Sequence, residues 1–450
     1  TSPIKGTDSG IINSIIKTAV VPPVLLAAAA VLCYLFIVRG MYALEDLPVK
    51  KIPRWSKICI EVVMVVFFLH TVQVQGTEIG MWDYIQSVRE SSDFYEKEYV
   101  NPAKVKMTFP KEKKNLIYIF MESMESSYAD KEDGGTMDDN YIPNLTKLAR
   151  ENVQFTDKKD GKVGGPVCLE ATAYTAGGLV AQTSAINLKV MNSGAVSDSF
   201  LPNLTALGDI LNKQGYNQMF LCGSDGDFAG RDAYFKTHKD YQIEDYKAAI
   251  KEGDIPKDYK VYWGHEDKVL YERAKKNLKK LSKEGKPFNL TMLTVDTHFP
   301  NGYICDLCEN KYDTTYGNAV ACADRQVYDF VQWIKKQDFY EDTTIIIAGD
   351  HTSMVDTGSK FWKSLSNDYQ RTVYNAIINP QCAYKKKVTT KRKFSTMDMF
   401  PTTLAALGVE IDGNKLGLGT NLFSGEETLR EQLGANYINK ELKRNDKMYN

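Results

Sequence analysis

Two apolar runs that each stop at metal-binding groups constrain this chain most. Asn115-Leu116-Ile117-Tyr118-Ile119-Phe120-Met121 runs into Glu122-Ser123, and Thr343-Thr344-Ile345-Ile346-Ile347-Ala348-Gly349 runs into Asp350-His351. Short unbroken runs rich in β-branched and aromatic residues read as strands buried on both faces, as in a parallel sheet. Open α/β sheets hold their ligands just beyond the carboxyl ends of such strands. Two neighbouring strands of this kind would gather Glu122, Asp350 and His351 around one point. Either run alone reads equally well as a core strand with a capped exit; the pair is what suggests chemistry.

From Asn115 onward such runs alternate with helical patterns. Strands are expected at 115–121, 216–222, 288–295, 343–348 and 372–378, and helices at 143–151, 175–183, 203–213, 264–283, 316–336 and 396–407. That alternation predicts an α/β fold, a mainly parallel sheet with helices on both faces. With 56 basic and 57 acidic residues the net charge is -1, so no global field recommends nucleic acid as a partner.

The amino-terminal part reads differently. Residues 18–38 carry no charge and are long enough to cross a hydrocarbon core of ~20 residues. Residues 58–75 carry Glu61 and His70 and read as a second span, with Glu61 near one end, or as a buried or interfacial helix. The loop between them holds Arg39, Lys50, Lys51, Arg54 and Lys57 against Glu45 and Asp46. That basic excess places the loop in the cytoplasm and all that follows residue 75 outside the membrane, extracellular or periplasmic. The chain opens on Thr1 and not Met, which leaves room for further spans before it. The expected division is a membrane region 1–75, a juxtamembrane linker 76–110 with a helix at Met81–Tyr99, a catalytic domain 111–425, and a charged tail 426–450, helical at the surface or disordered.

Several residues in the domain could carry chemistry. Glu122, Asp350, His351 and a Thr oxygen make an oxygen-rich set that suits one Mn²⁺ or Mg²⁺ better than a thiolate zinc site. Thr172 and Thr175 both lie near the start of an apolar helix, where free N–H groups favour negative charge. Either is a nucleophile if a metal touches it, or simply a cap. His298 follows a third strand end. Arg231 follows a fourth and could grip a phosphate through its planar fork, or form a surface salt bridge with Asp227 or Asp232. Cys305, Cys308 and Cys322 are close enough for one disulfide, its pairing left open.

NLIYIFMESMESSYAD, the Tyr174-Thr175 loop, FAGRDAYFKTH, LTVDTHFPNGY and IIIAGDH come in the order seen in lipoteichoic acid synthases. The chain resembles still more the related phosphoglycerol transferases that decorate osmoregulated glucans, which KLGLGTNLFSG also matches. The likeness covers residues 76–425. It implies a sulfatase-like fold of the alkaline phosphatase superfamily and one metal, Mn²⁺ or Mg²⁺, at Glu122, Thr175, Asp350 and His351. It implies Thr175 as the nucleophile and Arg231 and His298 as contacts to the glycerol phosphate group. Phosphatidylglycerol would be the donor, and a glycerol phosphate polymer or glycan the acceptor. Two departures appear. The family's glycine-rich run before the nucleophile is here Ala171-Thr172-Ala173-Tyr174. The His that precedes the Arg by nine residues in lipoteichoic acid synthases is here Cys222. Competing readings are a phosphoethanolamine transferase, a sulfatase-fold hydrolase, and a membrane-anchored binding paralogue without turnover. Cys168-Leu169-Glu170-Ala171-Thr172 does not fit the C-x-P-x-R signature of sulfatases.

Overall fold

The structure, a computed structural model, describes residues 54–78 and 90–445 except 160, 190–199 and 240, together with Leu25, Met81, Trp82, Ile85 and Arg89. The chain divides into two units, Asp93–Lys443 and a second made of Ile4–Ser92 with Arg444–Asn450.

In the second unit, helix α1 spans Arg54–Glu78 and takes in the 58–75 segment. Val62, Val63, Val65, Val66, Phe67, Phe68 and Leu69 on it are exposed. Among the described residues no helix is long and apolar enough to cross a membrane. The 18–38 segment lies outside the described residues, Leu25 apart. The helix expected at Met81–Tyr99 is broken at residues 90–93, and Phe94–Glu98 forms a separate short helix. Ser91-Ser92-Asp93 explains the break, since such residues hydrogen-bond locally and favour helix starts over interiors.

The larger unit is built on six strands: β1 Asn115–Met121, β2 Asn217–Cys222, β3 Gln242–Glu244, β4 Phe288–Leu293, β5 Thr343–Gly349 and β6 Asn375–Ile378. Their order across the sheet is β3-β2-β4-β1-β5-β6, all parallel except β6, which runs antiparallel to β5. The two apolar runs, β1 and β5, are therefore parallel neighbours within the sheet. Met121 sits opposite Gly349, so Glu122 and Asp350 leave the sheet at the same level. Side chains alternate across a strand. Ile117, Ile119 and Met121 join Ile345 and Ile347 in a core closed by α2 (Pro143–Glu151), α6 (Asp267–Leu281) and α7 (Thr315–Ile334). On the other face the Tyr118 hydroxyl donates to Gln182 of α3 (Thr175–Ser184) at 2.9 Å. The remaining helices used below are α4 Leu207–Lys213, α5 Arg231–Thr237, α8 Met399–Ala406, α9 Leu429–Leu433 and α10 Ala435–Lys443.

Most boundary differences have a named cause. Strand β6 starts at Asn375 and not residue 372, because the Thr372 carbonyl accepts from Ser126 N and Val373 N donates to Pro166. Strand β4 ends at Leu293 because Thr294 turns to accept the Glu122 N–H on its hydroxyl at 2.9 Å. Helix α4 starts at Leu207, where the Asp209 carboxylate accepts from Ala206 N at 2.8 Å. The described part of the tail, up to residue 445, forms α9 and α10, with Ile438 and Leu442 buried and Glu431 paired to Arg392 at 2.9 Å.

Candidate active site

Register brings the site together first. Beyond β1, Ser123 takes a left-handed backbone, φ 51°, which a non-glycine residue adopts rarely. The turn lets Ser123 N donate to Asp350 Oδ1 at 2.8 Å, while the Ser123 hydroxyl donates to Glu122 Oε1 at 2.7 Å. One residue thus ties the exits of β1 and β5. The Glu122 backbone is clamped from the β4 side, since Thr294 accepts its N–H and the Thr297 hydroxyl donates to its carbonyl.

Helix α3 supplies the hydroxyl. Thr175 is its first residue, and its Oγ1 donates to Glu122 Oε2 at 3.2 Å and lies 3.4 Å from His351 Nε2. Gly178 sets how closely α3 approaches. A Cβ there would stand 2.2 Å from the Asp350 carbonyl oxygen, so only glycine lets the helix lie against that strand exit. The structure separates the two threonines. Thr172 is fully buried, accepting from Leu169 N at 2.8 Å and donating to Leu169 O at 3.0 Å, and it staples the loop. Ala171 carries φ 57° in that loop, a backbone that favours glycine, which gives the expected glycine-rich run a conformational meaning.

His351 Nδ1 faces the Thr352 carbonyl at 2.8 Å, which leaves Nε2 turned to Glu122 Oε1 at 3.3 Å and Asp350 Oδ2 at 3.6 Å. Buried Glu125 secures the following loop. It accepts from Ser353 N at 2.8 Å and pairs with Arg371, whose guanidinium lies 4.6 Å from the Trp362 ring. Burial alone would raise the Glu122 carboxyl, but the His351 and His298 imidazoles hold it well below the usual carboxylate range. Burial and the Glu122 charge push Asp350 up to about 8. Burial disfavours the charged His351 ring, yet Asp350 and Glu122 push it up to about 10.

These features fit a bound cation. Ligand atoms of Glu122, Asp350 and His351 lie within 4.8 Å of one another, all buried, and Asp350 Oδ2 has no hydrogen-bond partner among the described residues. Two carboxylates and an imidazole packed this closely form a donor set that suits a cation at their centre.

Arg231 begins α5 beyond β2 and is 6 % exposed, too buried for a surface salt bridge. Asp227 and Asp232 pair instead with Lys247 and Lys236. Arg231 donates Nε to Phe228 O at 3.0 Å and Nη2 to Ser224 Oγ at 3.0 Å and Asp225 O at 2.8 Å, and its guanidinium lies 5.4 Å from the Phe228 ring. These contacts leave Nη1 outside the loop's hydrogen bonds. Phe228 meets Trp263 at 5.4 Å, and Trp263 meets His298 at 4.8 Å, so Arg231 and His298 are joined by an aromatic wall. Cys222 ends β2 in apolar burial, which pushes its thiol up to about 11.

Sequence reasoning missed Ser123, Glu125, Gly178 and Trp263. Only Gly178 left a signal, a glycine pair inside a helix. Cys308 and Cys322 form a disulfide with Cα atoms 5.0 Å apart, while Cys305 stays free with its sulfur 3.6 Å from that of Cys308.

A profile of the Sulfatase family matches residues 114–409, which include every site residue above. Phosphoglycerol transferase I of Salmonella choleraesuis is 33% identical over 340 residues, covering 73% of this chain and 41% of that protein. The Shigella flexneri protein of the same name matches to the same extent. The chain thus spans about two fifths of the length of these curated relatives. Among solved structures, a protein of the alkaline phosphatase superfamily from Vibrio parahaemolyticus superposes with a TM-score of 0.53 at 23% identity, covering 76% of this chain and 78% of that one. The lipoteichoic acid synthase LtaP from Listeria monocytogenes gives 0.54 at 19% identity, covering 71% and 79%. With the profile spanning the whole sheet and its strand exits, the chain belongs to the sulfatase family and has the α/β fold of the alkaline phosphatase superfamily.

Proposed function

We propose that the chain is a membrane-anchored phosphoglycerol transferase that moves glycerol phosphate from phosphatidylglycerol to an acceptor hydroxyl on a glycan or glycerol phosphate polymer. The observation that carries this reading is the Thr175 hydroxyl, held at the first turn of α3 between Glu122 Oε2 and His351 Nε2. The name carried by the curated relatives supplies the head group.

Glu122, Asp350, His351 and Thr175 would hold one hard divalent ion, Mn²⁺ or Mg²⁺, whose chemistry there is to favour the threonine alkoxide and offset phosphoryl charge. The chain's own residues do the rest. Glu122 accepts the Thr175 hydroxyl hydrogen and so aims the oxygen's lone pairs outward. The free Nη1 edge of Arg231 and the ring of His298 are offered to the phosphate and glycerol of the donor. Thr175 Oγ1 forms a bond to phosphorus as the bond from phosphorus to the diacylglycerol oxygen breaks. The proton lost by Thr175 ends on diacylglycerol. In the second half an acceptor hydroxyl takes the glycerophosphoryl group, and Thr175 regains a proton. The apolar segment 18–38 and the exposed apolar side chains of α1 would keep the site beside its lipid.

The test is donor choice. Incubated with Mn²⁺ and either phosphatidylglycerol or phosphatidylethanolamine, the full chain should release diacylglycerol from the first. Release from phosphatidylethanolamine alone would assign the head group to ethanolamine and overturn this reading.

A further inference from the structure

A second polar site lies at the other end of the sheet. Strand β6 runs antiparallel to β5, with Asn375 opposite Ala348 and Ile378 opposite Ile345, so Ile377 and Pro380 sit at the end where β5 begins, away from Asp350. There the end of α2, the Asn152–Thr156 segment that bridges to Ile377, and the turn Lys386–Thr389 enclose a groove of about 980 Å³. Arg150, Lys386 and Lys387 line it, and Glu151 is the acidic residue among the described lining. The wall belongs to a run, residues 384–393, with six basic residues and no acid. Neither Lys386 nor Lys387 makes an ion pair with a described residue.

Three features speak for a sugar chain bearing negative groups. Tyr384 projects from the wall, 41 % exposed, with its ring braced against Phe423 at 5.4 Å. A fixed, half-open aromatic face is a platform for the apolar face of a sugar ring. Gln154, on the lining and 6 % exposed, donates Nε2 to Gly161 O at 2.9 Å and leaves Oε1 without a partner among the described residues, an acceptor lacking its donor. The unpaired lysines supply charge for an anion. A membrane surface fits less well, because the groove is concave and Tyr384 is its one exposed large apolar side chain among the described residues.

We propose that this groove binds a glycan chain carrying phosphate groups, and that it holds the acceptor or product polymer while the other end of the sheet does the transfer. The use assigned to it rests on the transferase reading; the binding does not. Strands of this length span roughly 20 Å, so one polymer could occupy the groove and still offer hydroxyls to the site at raised local concentration.

The test measures binding of the full chain in detergent to dextran phosphate oligosaccharides and to neutral dextran oligosaccharides of equal length. The phosphorylated probe should bind at least ten-fold more tightly, and its Kd should rise with added salt. Lys386→Glu with Lys387→Glu should weaken it ten-fold or more, and Tyr384→Ala should weaken both probes. Unchanged melting and Mn²⁺ affinity would show the variants folded. Thr175→Ala should bind as wild type, which separates failure of the groove from failure of the catalytic reading. Equal binding by wild type and the charge-reversed variant would overturn the proposal. So would lysine-dependent binding to phosphatidylglycerol vesicles with none to the oligosaccharides.

Discussion

Ser123 Oγ donates to Glu122 Oε1 at 2.7 Å from a left-handed backbone that also presents its N–H to Asp350. The hydroxyl therefore orients one carboxylate of the candidate metal site. Ser123→Gly keeps the backbone and removes that hydrogen bond. Losing a hydrogen bond that orients a metal ligand typically costs about 10-fold or more in metal affinity. Titration of Mn²⁺ into the variant should show such a weakening with little loss of thermal stability; unchanged affinity would mean the carboxylate is held by other contacts.

Arg231 uses Nε and Nη2 on its own loop and keeps Nη1 clear. Arg231→Lys retains charge but loses the fork. Donor KM should rise several-fold or more while Mn²⁺ affinity stays constant. Wild-type donor kinetics would reduce Arg231 to a brace for residues 224–228.

His265 is fully buried with Nε2 lacking a hydrogen-bond partner among the described residues, and burial depresses its imidazole to about 4. The unfolded chain therefore binds a proton here near pH 6.5 that the folded chain refuses. Stability is lost as pH falls through that window. Relative to His265→Gln, the wild-type protein should lose about 2 kcal/mol between pH 7 and pH 5, by the linkage of pKa to stability. Denaturant unfolding of both metal-free proteins at the two pH values checks this; parallel losses would show that His265 takes up its proton without cost.

The Cys308–Cys322 bond ties the loop after His298 to α7. Peptide mapping of unreduced protein should find that pair joined and Cys305 free. Cys308→Ser with Cys305→Ser should lower stability by ~2–4 kcal/mol. Three free thiols in the mapped protein would contradict the assignment.

The central strands were legible because their side chains are apolar on both faces, and their polar exits, Glu122 and Asp350-His351, mark where the sheet stops. Nothing local distinguished Thr172 from Thr175, since both stand near one helix start. The difference is in the partner: the Thr172 hydroxyl is held by the local Leu169 backbone, while that of Thr175 meets Glu122, 53 residues earlier in the chain. The Ser123 turn, Glu125 with Arg371, and the Trp263 wall were hidden for the same reason, because each acts through partners far along the chain. The disulfide pairing was hidden because spacing alone admits three choices. The groove beside Tyr384 showed in sequence only as a basic run, and its concavity needed the antiparallel edge strand β6.

The most direct test is mass mapping of the Thr175 peptide after incubation with phosphatidylglycerol and Mn²⁺ without acceptor. The account predicts a glycerophosphoryl ester on Thr175, diacylglycerol released in step with it, and both lost in Thr175→Ala while Thr172→Ala retains them. Near-normal diacylglycerol release by Thr175→Ala, with no adduct on the wild-type peptide, would contradict it and make the protein a hydrolase that uses water.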